Sequence, residues 1–192
     1  MVQAILRGEK TQTRRLLNPQ PDKSVTDIIS NCSEFVSAYP NRKAIKPFEF
    51  TTKCKYRIGD ILWVHETFQI LPPNMVFYKA DTENKATGNW KPSIFMPKEA
   101  CRIFLKLKSI RIERLNDISE NDSLQEGIQP FTKDNNLFKH GLDGWEWQSM
   151  TKYAKEAYKI LWQKINGEKS WEENPFVWVY EFERCNASFA CS

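Results

Sequence analysis

The sequence predicts an α+β domain whose sheet is bent or closed on itself, and three observations lead there. Between residues 102 and 115, Ile103, Leu105 and Leu107 alternate on odd positions, then Ile110 and Ile112 on even ones. The side-chain period of a strand is two, so an unbroken strand would turn its apolar face outward at the slip between Lys108 and Ile110. A β-bulge or a strong bend restores the parity there. Val177 to Phe182 is apolar at most positions on both faces, as a central closing strand is. Helical stripes and irregular connections separate these strands without regular βαβ alternation, which favours α+β over α/β.

Taken in order, Val2, Ile5 and Leu6 recur at helical spacing and Gly8 stands where a C-terminal cap would, so a first helix ends at Arg7. From Leu17 to about Lys55, Pro19, Pro21, Pro40 and Pro47 interrupt a polar stretch of poor periodicity. That stretch reads as a long, partly irregular excursion in which residues 27–29 and 35–36 are too short to assign. Gly59-Asp60 before Ile61 to Val64 marks a turn entering a buried strand; Met75 to Lys79 is a short strand, and Pro92 to Pro97 a proline-bracketed connection. Ser119 and Asp122 have capping-box spacing, opening a helix that stops at Gly127 with Glu126 in its last turn. Met150, Tyr153, Ala154, Ala157, Tyr158, Leu161 and Ile165 form an apolar helical stripe that Asn166-Gly167 ends. The expected organisation is one domain over 1–184, with the insertion at about 17–55 and a frayed tail at 185–192.

Composition narrows the class. An apolar fraction of 41% with 7 Trp, 12 Phe and 6 Tyr is enough for a sizeable core. No stretch approaches the ~18 uninterrupted apolar residues of a membrane helix, so no membrane association and a cytoplasmic location are expected. Five cysteines are scattered, odd in number and never spaced Cys-x-x-Cys, which argues against a disulfide framework or a zinc site. His65 and His140 lack metal-ligand spacing, and no P-loop, Gly-x-Ser-x-Gly or dinucleotide fingerprint is present. A net charge of +4 permits phosphate contact without demanding it.

The most informative stretch is Gly8-Glu9-Lys10-Thr11-Gln12-Thr13-Arg14-Arg15. Its glycine-x-lysine-x-x-threonine-x-arginine pattern resembles the motif of ASCH-domain proteins, whose fold is similar to the PUA domain. Further blocks in the same order resemble the longer ASCH proteins of phages and prophages: Gly59-Asp60 to Glu66-Thr67, Tyr78-Lys79-Ala80-Asp81, Trp90 to Ser93, Ile112 to Ile128, and Asn166-Gly167 to Trp178-Val179. Two departures stand out. Such proteins usually carry a short strand before the first helix, where this chain starts at Met1, and commonly have arginine where His65 stands. The resemblance implies a PUA-like mixed β-barrel with flanking helices. Small bacterial members hydrolyse the amide of N4-acetylcytidine, which implies Lys10, Thr13 and Glu126 as the catalytic set, with no metal and no organic cofactor.

Chemistry sets conditions on that set. A threonine hydroxyl needs a neighbour to take its proton, and lysine does so only when neutral, a small minority at its ordinary pKa of ~10.4. Burial, or Arg14 and Arg15 nearby, would lower that value; a carboxylate would oppose the shift, so Glu126 is better cast as handling water or the leaving amine. Lys10 and Thr13 can share a site only if the chain turns between them. The plainer reading of both is a solvated lysine and an ordinary surface threonine. Arg14 and Arg15 could clamp a phosphate or stack on a base, or form a solvated pair. Trp145 and Trp147, in a loop beside Gly141 and Gly144, could stack on a base or anchor the loop. Trp63 and Trp178 read as core, and His65-Glu66 as a buried polar pair. The expected partner is a modified nucleoside or single-stranded nucleic acid. The alternatives are a non-catalytic RNA- or DNA-binding module and a phage accessory protein acting through protein contacts.

Overall fold

Four antiparallel strands in the order β1-β10-β7-β4 form the sheet on which the rest of the chain is built. They are β1 (Gln12–Leu16), β4 (Ile61–Trp63), β7 (Phe104–Arg114) and β10 (Phe176–Cys185). The computed structural model describes residues 1–22, 25, 27–32, 35–39, 52, 54–81, 89–132, 134, 137–139 and 150–186. Three two-stranded ribbons complete the β structure: β2 (Asp27–Cys32) with β3 (Phe35–Tyr39), β5 (Phe68–Leu71) with β6 (Met75–Tyr78), and β8 (Gln129–Pro130) with β9 (Phe138–Lys139). Helices α1 (Val2–Leu6), α2 (Glu120–Gln125) and α3 (Ala154–Asn166) flank them. The main sheet curls into about half a barrel, so the α+β class and a barrel-like sheet are observed.

The parity slip in β7 is a bulge. Glu181 faces Ser109 and Phe182 faces Leu107, leaving Lys108 as the extra residue. Leu107, Ile110 and Ile112 therefore stay on one face with Phe182, Tyr180 and Trp178, and that face packs with Ile5, Leu17, Val25 and Ile103 as the larger core. Val177 and Val179 point the other way, against Tyr158, Leu161 and Trp162 of α3 and Leu115, Ile118, Ile128 and Trp171. β10 is thus buried on both faces and central in the sheet, and its pairing with β7 runs through Cys185, where a frayed tail was expected.

Several expectations are corrected. The 17–55 excursion contains the β2–β3 hairpin, hidden because its register shifts between Ser30 and Cys32 and breaks the alternation. Phe68–Leu71 pairs with β6 across a Pro72-Pro73-Asn74 turn that the prolines had masked. Helix α3 begins at Ala154, with Tyr153 as its exposed N-cap; Ile165 is exposed, and Trp162 takes its place in the buried stripe. Trp178 is core, but Trp63 is only half-buried and stacks on His65 at 4.0 Å. His65 itself is exposed, with Nδ1 2.8 Å from the Ser93 carbonyl. The partner of the buried Glu66 is the half-buried Arg102, whose Nε and Nη2 each donate at 2.9 Å while the same guanidinium also bonds Asp81. Among the described residues no helix is long and apolar enough to cross a membrane.

Candidate active site

Helix α1 ends at Arg7, and Gly8 at φ +75° turns the chain back under it. The amides of Glu9 and Lys10 both donate to the Ala4 carbonyl, at 2.8 and 3.1 Å, and that of Thr11 donates to Gln125 at 2.8 Å. The segment before β1 is thereby stitched between the ends of α1 and α2. The chain turns at Gly8, before Lys10, and runs extended into β1, with the Thr11 carbonyl accepting from the Phe182 amide at 2.8 Å, so the turn expected between Lys10 and Thr13 is not what brings them to one cleft. Helix α2 is opened as its spacing predicts: the Ser119 hydroxyl accepts from the Asp122 amide at 3.0 Å, and Gly127 follows the Glu126 cap at φ +96°. A Cβ on Gly127 would lie 3.4 Å from the Cβ atoms of both Ala4 and Lys10, an ordinary packing distance, so the positive φ rather than lack of space is what calls for glycine here.

Lys10 Nζ donates to the Glu126 carboxylate (Oε2) and to the Glu126 carbonyl, each at 2.7 Å, with both side chains about 95% buried. An ammonium at the carbonyl end of a helix has the favourable sign, which offsets the unfavourable carboxylate at that same end. The other Glu126 oxygen, Oε1, lies 3.2 Å from Arg14 Nη1. Arg14 further reaches Glu113 through Nε at 2.8 Å and Nη2 at 2.7 Å, and Asp122 through Nη2 at 3.3 Å. Arg111 closes the circuit at 3.2 Å to both Glu113 and Asp122. Three cations and three carboxylates thus form one network between the sheet and α2.

Burial pushes the Lys10 ammonium toward its neutral form; Glu126 opposes this, Arg15 and Arg14 add to it, and the balance lies below the ordinary lysine value. Burial also works against the Arg14 charge, but Glu113 and Glu126 outweigh it and hold its pKa above the usual arginine value. Burial, and then Glu126, raise the Tyr158 phenol well above its ordinary range.

Lys10, Thr13 and Glu126 all border one cleft of about 360 Å³, with Arg15 at its rim and Tyr158 and Trp162 of α3 as its far wall. The three do not form a bonded triad. Gln12 and Arg14 share a face with Arg111 and Glu113, so strand alternation turns Thr13 and Arg15 to the face of Tyr180 and Trp178. Thr13 reaches the cleft around the free edge of β1, and its hydroxyl hydrogen-bonds neither Lys10 nor Glu126. Arg14 also lines this cleft, but its side chain is buried and engaged by carboxylates, so it is not the solvated member of a pair. Arg15 is exposed, donates only to the Arg14 carbonyl at 3.1 Å, and has no carboxylate partner among the described residues. Trp145, Trp147 and His140 lie outside the described residues.

Sequence reasoning missed Tyr158 and Trp162 as site residues, because the α3 stripe reads as core packing alone. The Trp162 indole N–H is buried without a hydrogen-bond partner among the described residues. No cluster of three His, Cys, Asp or Glu side chains among the described residues is arranged to hold a metal ion. No family model, curated protein or solved structure matches the chain.

Proposed function

We propose that this chain is a PUA-like, ASCH-type hydrolase that cleaves the linear amide of an N4-acylated cytidine. The observation that carries the reading is the buried Lys10–Glu126 pair in a cleft that Thr13 also borders. A neutral amine has two N–H donors and one lone pair. The two bonds to Glu126 use both donors of the neutral form and leave the lone pair to accept the Thr13 proton. The freed oxygen attacks the acyl carbon, the C–N4 bond breaks, and the Lys10 ammonium returns the proton to the departing cytosine amine. Water held by Glu126 then opens the threonine ester, releasing the acid and restoring the hydroxyl.

Thr13 is not hydrogen-bonded to Lys10, and this favours one second reading, a non-catalytic site for a nucleic-acid base. Incubation with N4-acetylcytidine separates the two. Release of cytidine, lost in Thr13→Ala, supports hydrolysis; no cytidine together with tight RNA binding supports the module.

A further inference from the structure

A second cleft, of about 420 Å³, lies beside the first and shares Thr13, Arg15, Leu16 and Asn18 with it. Its floor is aromatic: Trp178 and Tyr180 stack with centroids 6.4 Å apart, and Tyr56 meets Tyr180 edge-on at 5.5 Å. Lys55 stands over the Tyr56 ring at 5.4 Å. Tyr56 is half-buried and Lys55 exposed, so both a ring and a cation are accessible. Arg15 lines both clefts and so stands on the ridge between them. Neither Arg15 nor Lys55 pairs with a carboxylate among the described residues, unlike Arg14, Arg102 and Arg111.

We propose that the Lys55–Tyr56 cleft binds the nucleotide adjoining the reacting cytidine, so that the substrate is a single-stranded oligonucleotide whose phosphate crosses the ridge at Arg15. This rests on the reading of the first cleft as the site of the acylated base. Two adjacent pockets joined by a guanidinium with no carboxylate partner among the described residues suit two bases joined by one phosphodiester. A free nucleoside would leave the Arg15 and Lys55 charges and the Tyr56 ring unused. Stacking on an aromatic side chain tolerates any base, so the second cleft selects for chain rather than for sequence.

The test compares kcat/KM for N4-acetylcytidine with that for a trinucleotide carrying N4-acetylcytidine at its centre, alongside equilibrium binding of the unacylated trinucleotide. The trinucleotide should be preferred by about tenfold or more, in line with one stacked base. Tyr56→Ala should remove that preference, Tyr56→Phe should keep it, and Lys55→Ala should reduce the salt dependence of trinucleotide binding. Equal kcat/KM values for the two substrates, or a preference indifferent to Tyr56→Ala, would overturn the second cleft and leave the hydrolase reading in place. Should neither substrate be cleaved, the binding arm decides: trinucleotide affinity lowered about tenfold by Tyr56→Ala upholds the cleft while the hydrolase reading falls, and affinity unmoved by both Tyr56→Ala and Lys55→Ala overturns it.

Discussion

Lys10 combines two opposing demands: a proton acceptor must be neutral, yet its nearest polar neighbour is a carboxylate at 2.7 Å. Burial resolves the conflict, and the like charges of Arg15 and then Arg14 act in the same direction. The depressed Lys10 pKa makes the working, neutral form more abundant as pH rises, so kcat should climb with pH through that value. A rate that shows no rise with pH anywhere below the ordinary lysine value would contradict the base assignment. Lys10→Ala should lower kcat at least ~10²-fold. Lys10→Arg should be nearly as damaging, since guanidinium does not deprotonate; full activity in that variant would make Lys10 a fixed positive charge instead. Arg14 is a positioning residue here. Arg14→Met strands Glu113 and Glu126 in a buried layer and should cost about 3–5 kcal/mol of stability by urea unfolding. A loss under ~1 kcal/mol would show that the network carries little.

Among the elements, the β7 bulge keeps both halves of the longest strand on one core. Lys108 is itself exposed and pairs with Glu183 at 3.3 Å on the surface, so Lys108→Ala should change stability by less than ~1 kcal/mol. Deleting Lys108 leaves Leu107 and Ile110 two positions apart, so a regular strand keeps both on the core face and the variant should still fold. Unfolding of the deletion variant would contradict that role. Gly127→Ala imposes left-handed strain beside the Lys10 stem, and should lower both melting temperature and kcat. The bulge was legible in the sequence because five apolar residues recorded the change of parity, and the ends of α2 and α3 because Ser119, Gly127 and Gly167 are chemically suited to them. The β2–β3 hairpin was not legible, since its own register shift erases the period on which a strand assignment depends. Arg14 and Arg15 could not be told apart either. Gln12, Arg14, Arg111 and Glu113 read as a solvent-facing polar row, and only the packing of α2 above them makes that row interior.

For the molecule as a whole, the two faces of the curled sheet have different work. Both faces are covered by apolar clusters with aromatic rings, but only one also carries a charge network balanced three against three, and the candidate active site lies where that network meets the free edge of β1. An edge strand lets Lys10 and Thr13 approach one cleft from opposite faces, which a central strand would forbid. The resemblance pointed to Lys10, Thr13 and Glu126; the route by which Thr13 joins them depends on sheet order, which no local pattern encodes. The central claim is that Thr13 becomes acylated, and rapid-quench intact-mass analysis during incubation with N4-acetylcytidine tests it most directly. The account predicts cytidine release with a transient acetyl group on the peptide containing Thr13. It is contradicted if no cytidine forms, or if Thr13→Ala releases cytidine at the rate of the unaltered chain.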